Sequence, residues 1–150
     1  MQCIFCDIAA GRAPCHKVWE DERHLAFLTI FPNTDGTTVV ITKNHHDSYF
    51  ADLPTSVRSG LADAAATVAR KIDAAFPDVG RTAMVFEGFG VNHIHAKLYP
   101  LHGTAMPDWK PIKSEQRKFF TQYEGYVSSH DCGRADDAAL AAIAARIAAA

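Results

Sequence analysis

Val91-Asn92-His93-Ile94-His95-Ala96-Lys97-Leu98-Tyr99 places two imidazoles and an ammonium at alternate positions, with apolar residues between most of them. Side chains of an extended chain alternate between faces. The pattern therefore predicts a strand over 91–99 with His93, His95, Lys97 and Tyr99 on one side and Ile94, Ala96 and Leu98 on the other. Same-side neighbours stand ~7 Å apart along a strand, which suits His93 and His95 to adjacent, separate tasks rather than to sharing one ion.

Working outward, Thr82 to Phe86 reads as an apolar strand, and Glu87-Gly88-Phe89-Gly90 as the turn joining it to 91–99 in a central hairpin. Lys17 to Trp19 and His24 to Ile30 read as a first hairpin around Asp21-Glu22-Arg23. The β-branched run Thr37 to Thr42, after the turn formers Pro32 to Gly36, reads as a buried strand. Asp52 to Ser56 offers a helix start, and Val57, Leu61, Ala64, Ala65, Val68, Ile72 and Phe76 recur at helical spacing until Pro77. Leu101 to Ile112 reads as irregular chain, Ser114 to Tyr123 as a short helix, Gly125 to Asp137 as polar and turn-rich, and Ala135 to Ala150 as a terminal helix. The expected class is α+β. One domain over 1–150 is expected, with a core over about 1–106 and an irregular, then helical, extension over about 107–150.

Composition narrows the function. The chain has 150 residues, 48% of them hydrophobic, enough to bury its own core. A net charge of −2 with no long basic run gives no electrostatic footprint for duplex nucleic acid, while a small anionic ligand needs only one or two local cations. Neither a secretion signal nor a membrane span is visible, so a soluble cytoplasmic protein with no membrane partner is expected. Four cysteines, two of them spaced Cys3-x-x-Cys6, suit a reducing compartment as a metal pair or as free thiols.

Cys3 and Cys6 can converge on one tetrahedral cation, and two imidazoles would complete it: one of the His45-His46 pair, and His93. His95 then falls beside that site. A neutral imidazole there can attack phosphorus and form a phosphoramidate that water later hydrolyses. The bland readings are two semi-buried thiols and an ordinary strand histidine bonded to backbone.

Cys3-Ile4-Phe5-Cys6, Gly11-Arg12-Ala13-Pro14, Val18-Trp19-Glu20-Asp21, Leu25-Ala26-Phe27-Leu28, Val40-Ile41-Thr42-Lys43-Asn44-His45 and His93-Ile94-His95, in that order, resemble the histidine-triad (HIT) superfamily over roughly Cys3 to Pro100. The resemblance implies an α+β fold with an antiparallel sheet packed by helices, a homodimer, and a nucleotide hydrolase or nucleotidyl transferase acting on a phosphorylated ligand. The middle histidine of the signature, the family's nucleophile, maps to His95. In the zinc-bearing branches, which include relatives of galactose-1-phosphate uridylyltransferase, the ligands map to Cys3, Cys6, His45 and His93. This selects His45 over His46 and implies a structural zinc. Phe5, Ile8 and Phe27 match residues lining the base pocket.

The departures fall on the substrate side. The third signature histidine is Lys97, the aspartate that holds ribose hydroxyls is replaced at Thr29, and a phosphate-pocket asparagine maps to Phe86. The loop that often carries Gly-Gln-Ser is a shorter Gly88 to Asn92. Lys97 can still offer a point charge to a phosphate oxygen, although it gives up titration near neutral pH. Backbone N–H groups of Asn92 or the glycine turn are candidate substitutes for the missing donors, and His102 is a weaker candidate for the missing imidazole. The aromatic and polar stretch Tyr123 to Asp131 suits either a pocket cap or a sheet-edge packing element. The rival reading from another class is a zinc-stabilised nucleotide-binding or interaction protein without turnover. Direct zinc catalysis is disfavoured, because four protein ligands leave no open position.

Overall fold

The computed structural model describes residues 3–125 and 133–150. Its frame is a five-stranded antiparallel sheet of β1 (Lys17–Glu20), β2 (His24–Leu28), β3 (Thr38–Thr42), β4 (Thr82–Val85) and β5 (His95–Pro100), in the order β1-β2-β3-β5-β4. Three helices pack around it: α1 (Ile4–Ala9), α2 (Thr55–Ala75) and α3 (Asp137–Ala149).

The two faces of the sheet bury different sets. Ala26, Leu28, Val40, Ala96 and Leu98 face α2, meeting its buried stripe of Leu61, Ala64, Ala65, Val68 and Ile72, with Leu140, Ala144 and Ile147 of α3 closing the cluster. Leu25, Phe27, Val39 and Ile41 face the other way, against Phe5 and Ile8 of α1. This two-sided burial explains why β2 and β3 are buried along their whole lengths.

The Asp21 to Arg23 turn is as expected, fixed by the Asp21 carboxylate accepting from the backbone N–H groups of Arg23 (2.7 Å) and His24 (2.6 Å). At the far end of β2, Gly36 has φ +85°, and a Cβ there would sit 2.7 Å from the Phe76 ring, so only glycine fits that turn. Among the described residues no helix is long and apolar enough to cross a membrane.

Two expectations are corrected, and one element was not foreseen. The strand expected over 91–99 begins only at His95: Val91, Asn92 and His93 form bends, with the His93 N–H bonded to the Val91 carbonyl and the Ile94 N–H to the His46 carbonyl. The backbone leaves the sheet there because those bonds pull it toward the 45–46 segment. The short helix expected over Ser114 to Tyr123 does not form. Pro111 precedes it and almost every side chain is exposed, Phe119 by 86%, so no packed face supplies what a helix this short requires. Finally, α1 was not anticipated; a six-residue helix carries too little periodicity to be read. Of the Tyr123 to Asp131 stretch, residues 126–131 lie outside the described residues.

Candidate active site and metal centre

Cys3 sits at the N-terminal boundary of α1 and Cys6 one turn inside it, which brings both thiols to one end of the helix. His45 arrives from the chain after β3 and His93 from the bend before β5. The four donor atoms all lie within 4.8 Å of one another. His93 Nδ1 stands 3.4 Å from Cys3 Sγ and 3.5 Å from Cys6 Sγ, and His45 Nδ1 stands 3.4 Å from Cys6 Sγ. With Zn–S of ~2.3 Å and Zn–N of ~2.0 Å, the edges of a tetrahedron are about 3.3–3.8 Å, so these residues fit a zinc ion.

The tautomers fit as well. His93 Nε2–H donates to the Thr42 carbonyl at 2.7 Å, leaving the Nδ1 lone pair directed at the thiols. Burial, followed by the Cys3 thiol beside it, holds the Cys6 thiol above its ordinary range, a penalty that a divalent cation relieves. His46 instead offers its backbone carbonyl to Ile94 and lies outside the cluster.

Next to this cluster, His95 is buried and donates Nδ1–H to the His93 carbonyl at 2.7 Å. That bond fixes the tautomer with the Nε2 lone pair free of the backbone. Burial lowers the His95 pKa, the Lys97 charge lowers it further, and the backbone bond and Glu87 oppose them, so the ring is neutral at physiological pH. A cavity of ≈530 Å³ opens beside it, with His95 and Lys97 in its lining together with Phe5, Ile8, Phe27, Thr29 and Phe31. The Phe5 ring stands edge-on to Phe27, His93 and His95 at centroid distances of 5.6, 5.9 and 5.3 Å. It therefore belongs to the cavity wall and to the packing of both histidines.

Other expected residues go elsewhere. The Asn92 side chain is committed to structure, accepting from Ser48 N–H at 3.0 Å and donating to Asp47 at 2.9 Å, and it borders a cleft beside Cys3 and His45 rather than the apolar cavity. Phe86 stacks on Phe50 at 4.3 Å and packs against the α2-side core. His102, the candidate substitute imidazole, is held by Asp78 (3.0 Å) and the Asp35 carbonyl (2.9 Å) and does not line the cavity.

Sequence reasoning missed Glu87. Its carboxylate accepts from Tyr123 Oη at 2.6 Å and from the Phe89 N–H at 3.2 Å, tying the chain after β5 to the turn beside the site, with the Phe89 and Tyr123 rings 5.5 Å apart. The available signal was one acid at the head of the glycine turn that precedes His95 in the chain.

The geometry agrees with comparison to known proteins. The family model of the HIT domain matches residues 10–103. "Protein hit" of Bacillus subtilis (strain 168) is 35% identical over 105 residues, 67% of this chain and 72% of that protein. A HIT family hydrolase from Legionella pneumophila superposes with a TM-score of 0.56 at 27% identity, covering 71% of this chain and 98% of that one. A zinc-bound histidine triad family protein from Mycobacterium smegmatis gives a TM-score of 0.68 at 24% identity, over 99% and 95% of the two chains, a likeness of fold.

Proposed function

The chain belongs to the HIT domain family, and from that premise we propose a nucleotide hydrolase or nucleotidyl transferase, acting as a homodimer, in which His95 forms a transient covalent adduct. The observation that carries this reading is the buried His95 imidazole, its Nδ1 side held by the His93 carbonyl, beside a cavity with an apolar wall and one cation.

In the first step the His95 Nε2 lone pair attacks phosphorus. The N–P bond forms, the bond to the leaving group breaks, and the leaving group departs with its electron pair and takes a proton from solvent. In the second, water or another acceptor attacks the same phosphorus, the N–P bond breaks, a proton is released, and His95 returns to its starting tautomer. Lys97 stabilises charge on the phosphoryl oxygens, Phe5, Ile8 and Phe27 receive the base, and the backbone N–H of Gly90, which borders the cavity, supplies a donor. Cys3, Cys6, His45 and His93 would hold a zinc ion, which when bound would supply folding energy and rigidity rather than chemistry. The His93 carbonyl that orients His95 is thereby held through the metal ligand's own residue.

Lys97 and Thr29 favour a ligand other than a plain ribonucleotide contacted through both hydroxyls, and they motivate the second reading, a nucleotide-binding protein without turnover. Steady-state assays on nucleoside phosphoramidates and dinucleoside polyphosphates separate the two. Turnover by wild type that falls at least ~10³-fold in His95→Ala is expected. Full turnover in that variant would sink the nucleophile assignment, and tight binding with no turnover by wild type would favour the binding protein.

A further inference from the structure

The cavity beside His95 is walled on one side by two chain segments, residues 13–15 before β1 and residues 28–31 at the end of β2. Of these only Leu28 belongs to a strand and none to a helix, so their own secondary structure does little to fix their separation. The Leu28 N–H joins the two by donating to the His16 carbonyl at 3.0 Å. Both are also gripped by residues that lie beyond the stretch 10–103 matched to the family. The Ala135 N–H donates to the Ile30 carbonyl at 2.9 Å, and the Asp137 carboxylate accepts from His16 Nε2–H at 2.8 Å.

These grips have a firm base. Arg134 donates to both oxygens of the Asp137 carboxylate, at 3.0 and 2.9 Å, and Asp136 caps α3 by accepting from the Ala139 N–H at 2.9 Å. Further along, Leu140, Ala144 and Ile147 anchor the helix in the α2-side core, on which Ala135 and Ile30 also pack. Asp137 thus stands on an anchored helix and holds the residue next to Cys15 of the cavity wall, while Ala135 holds Ile30 of the facing segment.

We propose that residues 134–137 set the fit of the ligand's apolar group by positioning this wall through the Asp137–His16 and Ala135–Ile30 bonds. Asp137 and His16 are positioning residues: they act through the wall and touch no ligand. The inference rests on the reading that this cavity receives the base. Dispersion contacts are short-ranged, and a radial gap of about 0.5–1 Å forfeits a quarter to a half of each one, so a slackened wall costs recognition of a flat ring. The phosphate end is held differently, by His95 and Lys97 on β5, which is paired on both sides within the sheet. Loosening residues 134–137 therefore weakens the hold on the base and leaves the hold on the phosphate as it was.

Two probes separate these effects: adenosine 5′-monophosphate, and ribose 5-phosphate, which lacks the base. Their dissociation constants are read from ¹H–¹⁵N shifts of the full chain. In Asp137→Ala and in His16→Ala the constant for adenosine 5′-monophosphate should rise about fivefold, the equivalent of one hydrogen bond of ~1 kcal/mol, while that for ribose 5-phosphate stays within about twofold. Asp137→Asn keeps an oxygen acceptor for His16 and should restore wild-type binding. A lower thermal midpoint with unchanged affinity for adenosine 5′-monophosphate would reduce the contact to a structural one and overturn the proposal, as would equal weakening of both probes. Wild-type affinity in both alanine variants overturns this inference alone. A wild-type protein that binds no adenosine 5′-monophosphate overturns the base-pocket reading together with it.

Discussion

In the proposed reaction His95 and Lys97 take different roles because of their surroundings rather than their intrinsic properties. His95 is useful because burial keeps it neutral and one backbone carbonyl fixes its tautomer. Lys97 lies on the same side of β5, and in the proposed reaction it would contribute charge without a proton relay. Replacing it by methionine keeps much of the side-chain volume and removes one charge-assisted contact, worth about 1.5–3 kcal/mol. A fall in kcat/KM of ten- to a hundredfold is expected from initial-rate kinetics, and an unchanged value would remove Lys97 from the site. Cys6→Ser tests the metal centre separately: zinc content by mass spectrometry of the purified protein should fall well below that of wild type.

The strands and long helix were legible because their signals are local. Alternation marks β5, a β-branched run marks β3, and the Leu61 to Ile72 stripe marks α2. What could not be read depends on contacts distant in sequence. The departure of residues 91–93 from the sheet is set by the His46 carbonyl, and α1 gains its support from Phe27, Val39 and Ile41. Cys3, Cys6 and His93 of the candidate metal cluster were read from the residue pattern and His45 was selected over His46 by the family resemblance, but the Thr42 carbonyl behind His93 and the Glu87–Tyr123 tie have no sequence signature. Failure of the 114–123 helix shows the converse, since helical propensity without a packed face yields coil. Two local stops can be tested by thermal unfolding. Gly36→Ala meets both a positive φ and the Phe76 ring and should cost about 1–3 kcal/mol. Asp136→Ala removes the side-chain acceptor for the Ala139 N–H at the start of α3 and should cost ~1 kcal/mol.

Across the molecule, distant segments are stapled by polar groups outside the core. His102 joins the chain after β5 to Asp78 and to the Asp35 carbonyl. Its pKa is raised above 6.5, first by the bond to the Asp35 carbonyl; burial opposes this, and the hydrogen bond and charge of Asp78 add to the rise. The Asp78 carboxyl is held below its ordinary 3.8, first by His102. A raised histidine pKa gives stability that is complete below the unfolded value near 6.5 and is lost as pH rises through the folded value. The depressed Asp78 pKa gives stability that is present above 3.8 and is lost only as pH falls through its lower folded value. The stability that wild type holds over His102→Gln, measured as the difference in unfolding free energy at each pH, should therefore be largest below 6.5 and decline as pH rises through the raised folded value.

The cluster of Cys3, Cys6, His45 and His93 joins α1, the chain after β3 and the approach to β5, so it ties the cavity wall to the residue whose carbonyl orients His95. The most direct test of His95 as that nucleophile is the intact mass of the protein mixed briefly with a nucleoside phosphoramidate and quenched in alkaline denaturant, because N–P bonds are lost in acid. A mass increase of one nucleoside monophosphate, mapped to the peptide containing His95 and missing in His95→Ala, is predicted. Turnover of the same substrate with the adduct on another residue, or with full activity in His95→Ala, would contradict it.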